Sequence, residues 1–485
     1  MQQRSLLPFK HLDYITVFIY LLLVVAGWFT IYAASYDLQS DKVFSITGRT
    51  GSQLLWMGIT FVTIIILMIV DARFLVRISP YAYIVTILVL LLTILIAPDI
   101  KGSHSWLVIT PTIRLQPAEF AKVFTAMMVA YWCSRYEFNM KNWKYLAVTL
   151  VLFLLPMLII ILQNETGSAI VFSVFFLVLY REGLTGIILL YGLFLALLFI
   201  FSILYADTVW GHTDAGELVA FLLVYISSWI ATQRYLKPAY GTWVALGLLA
   251  VALLGGGIVS LFMNPDFSLW VGGALLCYLL YLLGLFILVP LRKSILIVLF
   301  AVSSLGMHKG VEYFFENVLQ PHQQVRILVT LGLKEDPQGA GYNVNQSLIA
   351  IGSGGLWGKG FLSGTQTKLK FVPEQDTDFI LCTLGEEQGF IGTTLVLLLY
   401  LALVTRIVML AERQPSAYNR IYGYAVACIF FFHVAINVGM VLGITPVIGI
   451  PLPFFSYGGS SFLSFSVLLF LLLRLDANRL ESKEA

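Results

Sequence analysis

Charged residues are scarce in this 485-residue chain, at 11% of the sequence, whereas hydrophobic residues make up 59% and the mean hydropathy is +0.90. A soluble domain has about a quarter of its residues charged. A chain of this length cannot hide so much apolar surface inside a globule, so that surface must face lipid. The net charge of only +3 forms no basic patch, so no nucleic-acid partner is expected.

Cysteine is rare as well, and the four thiols at Cys133, Cys277, Cys382 and Cys428 form no C-x-x-C pair. This spacing argues against a disulfide framework and against a zinc site. A cleavable signal peptide is not evident either. The polar start leads into an apolar run over residues 14–34, which is long enough to span a bilayer because a spanning helix needs about 20 residues. We interpret this run as a first transmembrane helix.

Apolar runs of spanning length recur along the chain and predict about fourteen transmembrane helices. The sixth run is the shortest and the least regular. The predicted spans are residues 14–34, 53–71, 80–97, 117–134, 145–163, 168–181, 183–204, 216–234, 240–262, 268–290, 293–315, 389–409, 420–440 and 461–475.

Basic residues fall in every second turn, as expected for cytoplasmic loops if the N-terminus lies inside. They are Arg73, Arg77, Arg135, Lys141, Lys144, Arg181, Arg234, Lys237, Arg292, Lys293, Arg406, Arg413, Arg420, Arg474, Arg479 and Lys483. Dropping one helix would break this alternation for everything downstream. The sequence therefore predicts an all-α polytopic membrane protein with both termini cytoplasmic.

The opposite face carries longer and more polar loops. The longest covers residues 316–388, and a loop of this length inside a compact protein is usually functional. Residues 98–116 form a second outward loop. A third, residues 445–461, is apolar but contains prolines and glycines that a regular spanning helix does not accommodate. It predicts a re-entrant or cavity-lining segment, which requires that protein or water satisfy its backbone.

Several ionisable residues lie inside or beside apolar runs, where charge is costly. Glu119 and Lys122 stand three residues apart on one helix face, close enough to pair, with Pro117 in the first turn. An anchoring pair at the interface and a functional pair explain this spacing equally well. For His433 a hydrogen-bonded packing role is the better interpretation, with Asn437 as a candidate partner.

Taken alone, Glu165 is most simply an exposed loop acid and Arg49 an interfacial residue. In the long loop, Asp336 precedes Gly339 and Gly341, which allow an unusual backbone path and close approach of a ligand. A plain Asp-Pro turn is the alternative. Two further sets of charges lie in this loop, and either binding or ordinary solvation explains them. They are the acids Glu374, Asp376, Asp378, Glu386 and Glu387, and the bases Lys359, Lys368 and Lys370.

Three segments together resemble the SEDS family (shape, elongation, division and sporulation). They are RLQPAEFAKV at 114–123, DPQGAGYNVNQSLIAIGSGGLWGKGFLSGTQTKLKFVPEQDTDFILCTLGEEQGFIG at 336–392, and GIPLPFFSYGGSS at 449–461. The middle block is long and highly specific. Its Gly364-Thr365-Gln366 stretch is more similar to the elongation branch of the family than to the division branch.

The chain departs from the family pattern in two places. The family usually has ten helices, whereas this chain carries about four more between its seventh helix and the long loop. We therefore predict a membrane core at 1–204 and 292–485, which includes the loop at 316–388, and an inserted accessory bundle at 205–291. In the second departure, the usual Q-P-D-x-G-T stretch reads QNETGS at 163–168, so that the acid is Glu165 and reaches one methylene further.

The resemblance implies a peptidoglycan glycosyltransferase of the bacterial inner membrane with a periplasmic active face. Such enzymes polymerise lipid II, a disaccharide-pentapeptide on undecaprenyl pyrophosphate, together with a class B penicillin-binding protein. The family's essential loop aspartate corresponds to Asp336. Glu119, Lys122 and Glu165 correspond to a polar cluster below the loop, and Arg49 to a basic residue near the same cavity.

This chemistry needs a base and cations. A carboxylate that takes the proton of the acceptor hydroxyl typically contributes about 10²–10⁴-fold, and Asp336 is the candidate. Cations stabilise the leaving pyrophosphate. The candidates are Arg49, Lys122, Arg326, Lys368 and Lys370, and Mg²⁺ or Mn²⁺ could share the role.

Two other functions fit many of the same features. A lipid II flippase also needs many helices, intramembrane charges and a broken helix. It would need a charged path to the inner side, whereas the polar residues here concentrate on one face. A non-catalytic scaffold of a wall-synthesis complex would leave the Asp336 turn unexplained.

Overall fold

The computed structural model describes residues 11–36, 48–100, 102–108, 110, 114–236, 241–260, 262, 265–288, 292–334, 336 and 339–484, and it is mostly helical. The helices are α1 (Tyr14–Ser35), α2 (Arg49–Ile69), α3 (Ala72–Ile96), α4 (Pro117–Cys133), α5 (Trp143–Leu162), α6 (Thr166–Ile170), α7 (Phe175–Arg181), α8 (Gly186–Leu204), α9 (Ala215–Tyr235), α10 (Gly241–Val259), α11 (Phe267–Leu288), α12 (Arg292–Asn317), α13 (Pro321–Thr330), α14 (Ala340–Gly354), α15 (Ile380–Glu412), α16 (Ala417–Val441) and α17 (Gly459–Glu484).

Twelve helices in the described part of the chain are long and apolar enough to cross a membrane. The two remaining predicted spans coincide with shorter elements. The predicted span 117–134 coincides with α4, which has 17 residues, and residues 168–181 are divided between α6, a 3₁₀ turn at Val171–Val174 and α7. The protein is therefore a multi-pass helical membrane protein, and the count of fourteen spans stays a prediction.

Local sequence sets several helix starts. The side chain of Asp13 accepts a hydrogen bond from the backbone N–H of Thr16 at the start of α1, and Asp71 does the same for Arg73 at the start of α3. Such caps satisfy backbone donors that have no partner within the helix. Pro117 occupies the first turn of α4, as predicted, because its missing N–H costs nothing there.

Two short antiparallel hairpins lie in the loops. In the predicted outward loop 98–116, β1 (Leu107–Val108) pairs with β2 (Arg114–Leu115), with Leu107 opposite Leu115. Between α8 and α9, β3 (Val209–Trp210) pairs with β4 (Thr213–Asp214).

The chain divides into two compact units. Unit 1 comprises Met1–Leu184 and Asp336–Ala485, and unit 2 comprises Thr185–Glu335. In unit 1, α4 packs against α3, α5, α16 and α17, and α15 packs against α1, α14 and α16. The core between them is built from fully buried side chains such as Phe153, Phe430 and Phe465. This unit contains all the predicted site residues except Arg326.

Unit 2 has its own core, in which the rings of Tyr225 of α9 and Tyr278 of α11 pack at an angle of 38°, with their centroids 5.4 Å apart. The predicted accessory segment was 205–291, but α8 and α12 pack with α9 and α11 in the same unit. The unit is therefore wider than that segment at both ends. The helices of this unit bury their apolar side chains against one another.

The predicted broken segment lies between α16 and α17 and is confirmed as non-helical and buried, with Ile450, Leu452 and Phe455 at most 1% exposed. A second interruption lies within α15 at Gly389, where φ is 64° and ψ is −163°. A Cβ atom there would lie 2.3 Å from the backbone nitrogen of Gly358. Glycine is required at this position by both the left-handed backbone and the close approach of the loop.

Candidate active site

The predicted Glu119–Lys122 pair is confirmed, and it lies in the core of unit 1. Lys122 Nζ donates to both carboxylate oxygens of Glu119, at 2.9 and 3.0 Å, and the two side chains are each 2% exposed. The Lys122 ammonium also lies 4.8 Å from the ring centroid of Phe465. Since both charges are buried, each depends on the other.

His433 is a buried hydrogen-bonded histidine, but its predicted partner Asn437 is wrong. The ring contacts Lys122 Nζ through Nε2 at 3.0 Å and the carbonyl oxygen of Pro451 through Nδ1 at 3.2 Å. Asn437 instead donates to the carbonyl oxygens of Asp378 and Ile450. Helical spacing correctly placed His433 and Asn437 on one face of the helix, but each side chain forms hydrogen bonds with other segments and not with the other side chain.

Arg49, at the start of α2, forms an ion pair with Asp376 from the long loop. The Asp376 side chain is 3% exposed, whereas that of Arg49 is half exposed. Beside this pair lies a polar cavity of about 380 Å³. Its lining residues are Ala34, Ser35, Arg49, Lys370, Val372, Pro373, Glu374, Gln375 and Asp376. Two predicted substrate-binding cations, Arg49 and Lys370, thus line one cavity.

Lys370 and Glu374 of this cavity both have left-handed backbones, with φ of 56° and 51°. Residues other than glycine adopt this conformation at a cost of about 1–3 kcal/mol and keep it only where surrounding contacts impose it. One such contact is Gln375 Nε2, which donates to the carbonyl oxygens of Ala34 and Thr367 at 2.8 Å. The cavity wall therefore has a specific, enforced backbone path.

Glu386 organises the loop in a way that the sequence did not reveal. Its carboxylate is fully buried and accepts hydrogen bonds from Lys359 Nζ at 2.7 Å and from the backbone N–H groups of Thr365, Gln366 and Thr367 at 2.7–2.9 Å. The hydroxyl groups of Thr365 and Thr367 donate to it as well. In the sequence Glu386 is one of a cluster of acids, whereas in the structure it anchors the Gly364–Thr367 stretch.

Asp336 lies where the Gly-rich turn of the long loop meets α14. A Cβ atom at Gly339 would lie 2.1 Å from the Asp336 carboxylate oxygen Oδ2, and one at Gly341 would lie 2.8 Å from its carbonyl oxygen. That carbonyl accepts a hydrogen bond from the N–H of Tyr342 at 3.0 Å. The turn thus wraps around Asp336 at distances that only glycine permits.

Glu165 lies at the start of α6 and accepts hydrogen bonds from the hydroxyl groups of Ser103 and Ser105, at 2.8 and 3.0 Å. Within the described residues, Glu165 therefore has serine partners from the 98–116 loop, and Lys122 donates to Glu119 and His433. The predicted grouping of Glu165 with the Glu119–Lys122 pair is not seen as a direct hydrogen bond.

The two remaining predicted cations have different surroundings. Lys368 Nζ lies 5.8 Å from the ring centroid of Tyr36, at the end of α1. Arg326 lies on α13, in unit 2. Burial lowers the pKa of His322 one turn earlier, and the charge of Arg326 lowers it further.

The predicted divalent cation finds no ready-made site. Across the described residues, no group of three or more His, Cys, Asp or Glu side chains is arranged to hold a metal ion. Two of the five acids of the loop are engaged in ion pairs, Asp376 with Arg49 and Glu386 with Lys359. The residues present do not by themselves fit Mg²⁺ or Mn²⁺.

These features define a class: a multi-pass helical membrane protein with an ion pair buried in its apolar core and a polar cavity lined by residues of its long loop. The sequence model described as "Cell cycle protein", of FtsW, RodA and SpoVE, matches residues 13–214 and 215–481. The chain belongs to this family.

Two curated relatives illustrate the match. The chain is 30% identical over 395 residues to "Peptidoglycan glycosyltransferase RodA" of Treponema pallidum, which covers 81% of this chain and 82% of that protein. It is 43% identical over 183 residues to "Peptidoglycan glycosyltransferase MrdB" of Escherichia coli K12, which covers 38% of this chain and about half, 49%, of that protein.

The fold is similar to that of a solved structure described as "Structural coordination of polymerization and crosslinking by a peptidoglycan synthase complex". The TM-score is 0.57 at 22% identity, over 97% of this chain and 99% of the other. At this identity the similarity concerns the fold.

Proposed function

We propose that this chain is a peptidoglycan glycosyltransferase that polymerises lipid II at the periplasmic face of the bacterial inner membrane, for cell elongation and shape. The enzyme class rests on family membership and on relatives that carry this activity in their names. The assignment to a site rests on the long loop. It contains the Asp336 turn, Asp376 with its ion-pair partner Arg49 from α2, and the Glu386 anchor, and all of these lie in unit 1.

In the proposed reaction, Asp336 takes the proton of the acceptor sugar hydroxyl. The hydroxyl oxygen attacks the anomeric carbon of the donor, a new β-1,4 bond forms, and the bond from that carbon to the phosphate oxygen breaks. Undecaprenyl pyrophosphate leaves with the electron pair. A single displacement inverts the α-linked donor, so no covalent glycosyl-enzyme and no second nucleophile are required.

The leaving pyrophosphate gains negative charge, which positioned cations stabilise. Arg49 and Lys370 line the polar cavity and are the proposed contacts, with Lys368 nearby in the chain. Because Asp376 already pairs with Arg49, substrate phosphate must compete with that carboxylate for the guanidinium. Lys122 is buried and held by Glu119, so we assign the pair a structural role in the core of unit 1 rather than direct phosphate contact.

A transpeptidase partner, a class B penicillin-binding protein, is part of the proposal. Support comes from the similarity of fold to a chain from a complex described as coordinating polymerization and crosslinking.

The test supplies labelled lipid II to the purified protein with its penicillin-binding partner. Glycan strands should form with the wild type and fall by at least about 10²-fold with Asp336→Asn, because the proton acceptor is lost. Asp207→Asn, at an exposed turn of unit 2, is the matched control and should polymerise normally. Full polymerisation by Asp336→Ala would refute the base assignment. Translocation in vesicles without polymerisation would favour a flippase, and a wild-type protein with neither activity would favour a scaffold.

A further inference from the structure

Three buried side chains donate hydrogen bonds to carbonyl oxygens of the broken segment between α16 and α17. The three bonds are Asn437 Nδ2 to Ile450 O at 2.8 Å, His433 Nδ1 to Pro451 O at 3.2 Å and Tyr400 Oη to Pro453 O at 2.6 Å. All three donors are at most 1% exposed. In a water-poor interior each unmade backbone hydrogen bond is costly, so these donors determine the path of the segment.

The same segment carries a strained residue. Phe454 has φ of 65°, which is unusual for an aromatic residue, and its side chain is 2% exposed. Such a conformation persists where neighbouring contacts impose it, and such residues cluster at functional sites. The bonds to the carbonyls of Pro451 and Pro453, just before Phe454 in the chain, are two such contacts.

The far end of the segment reaches the candidate site. The backbone N–H of Tyr457 donates to the carbonyl oxygen of Asp376 at 2.8 Å, and Asp376 forms the ion pair with Arg49 at the polar cavity. Asn437 also donates to the carbonyl oxygen of Asp378, at 2.9 Å. A shift of the segment would therefore move the wall of the cavity.

His433 joins this segment to the buried ion pair on α4. The Lys122 ammonium has only donors, and the Pro451 carbonyl only accepts. The ring must therefore accept at Nε2 and donate from Nδ1, which is one defined neutral tautomer. A continuous chain of hydrogen bonds runs from Glu119 through Lys122 and His433 to Pro451.

We propose that His433 is a positioning residue, which holds residues 451–457, and with them the cavity wall at Asp376, through its hydrogen bond to Pro451. The proposal rests on the proposed lipid II polymerisation, because it assigns His433 an effect on substrate binding at that cavity. Tyr400 and Asn437 support the same segment.

Two substitutions separate the two hydrogen bonds of the ring. His433→Asn keeps an amide nitrogen at the place of Nδ1, so it retains the donor to Pro451 and loses the acceptor for Lys122. His433→Gln places its amide near Nε2, so it retains an acceptor for Lys122 and loses the donor to Pro451. Each loses one buried bond, so a purely structural role predicts a similar loss of thermal stability and activity in both.

The measurements are the KM and kcat for lipid II and the hydrogen exchange of peptides that cover residues 449–458. We expect His433→Gln to raise KM about tenfold, as for one lost buried hydrogen bond, and to speed exchange in this segment. His433→Asn should keep KM within about twofold of the wild type at this scale. Tyr400→Phe, which removes only the hydroxyl, should resemble His433→Gln.

Equal KM values, or equal exchange, in the two His433 variants would overturn the proposal, and so would a KM for Tyr400→Phe equal to that of the wild type. Wild-type protein that makes no glycan would refute the proposed function, whereas the exchange measurement would still decide whether His433 holds the segment.

Discussion

Gly339 and Asp336 show how much of the site depends on single residues. Gly339 lies so close to the Asp336 carboxylate that any side chain at this position would displace the proposed base. Glu119 and Lys122 depend on each other in a similar way, because a buried charge that loses its partner costs about 3–5 kcal/mol. In both cases the charged group depends on a neighbouring residue, which determines its position in the first case and its stability in the second.

We predict that Gly339→Ala lowers kcat for lipid II polymerisation by about 10²-fold, because the new methyl group displaces the Asp336 carboxylate and a shift of about 1 Å has that effect. The control is Gly352→Ala on the same α14, where an added Cβ meets nothing within 4 Å. Steady-state rates with labelled lipid II measure both. Equal rates for the two variants would show that the Asp336 carboxylate is not positioned by Gly339.

Among the elements, buried acids tie loops and helix ends together. Glu386 gathers the Gly364–Thr367 stretch onto α15. At the other end of α15, Arg406 binds Asp13 at the start of α1 through both carboxylate oxygens, at 2.5 and 3.1 Å. Burial alone would raise the pKa of Asp13, but hydrogen bonds from Arg406 and Thr16 lower it to about 2. This carboxylate is therefore ionised at neutral pH.

We predict that Glu386→Gln loosens the loop, because the amide nitrogen no longer accepts from the backbone N–H groups that the carboxylate oxygen held. Each buried donor left without a partner costs about 1–3 kcal/mol. The thermal unfolding midpoint should fall, and hydrogen exchange at residues 364–367 should rise.

Glu387→Gln is the matched control for this change. Glu387 is also buried, but its Oε1 atom has no hydrogen-bond partner among the described residues. We expect a smaller fall in the unfolding midpoint and unchanged exchange at residues 364–367. If both variants changed the exchange equally, Glu386 would not be the anchor of the loop.

At the scale of the whole molecule, the alternation of basic turns predicts which ends of the bundle face the periplasm. Tyr136, in the turn between α4 and α5, and Trp357, after α14, are highly exposed, at 104% and 79%. They lie on opposite faces in the predicted topology, Tyr136 inside and Trp357 outside.

We predict that a membrane-impermeant maleimide labels Trp357→Cys in sealed spheroplasts and labels Tyr136→Cys only after permeabilisation. Both substitutions are made in a Cys277→Ala background, because Cys277 is the most exposed of the four native cysteines. The readout is the labelled fraction before and after detergent. Labelling of Tyr136→Cys in sealed spheroplasts would reverse the predicted orientation and with it the periplasmic site.

Much of the fold followed from local pattern. Runs of apolar residues predicted helices that the structure contains, the spacing of Glu119 and Lys122 predicted their contact, and the prolines and glycines of 445–461 predicted a break. The predicted site was less complete, because Glu386 looked like one acid among several and His433 was assigned the wrong partner. Nothing near either residue in the sequence distinguishes its role.

The sequence by itself determined that the chain is a helical membrane protein, since hydropathy and helical periodicity act over one or a few turns and need no knowledge of the neighbours. It also determined which residues share a helix face. Only the tertiary structure decided what that face meets, such as Lys122 with His433, 311 residues apart, or Arg49 with Asp376. Contacts of that kind arise when helices distant in the sequence pack, and the packing of the whole bundle selects them.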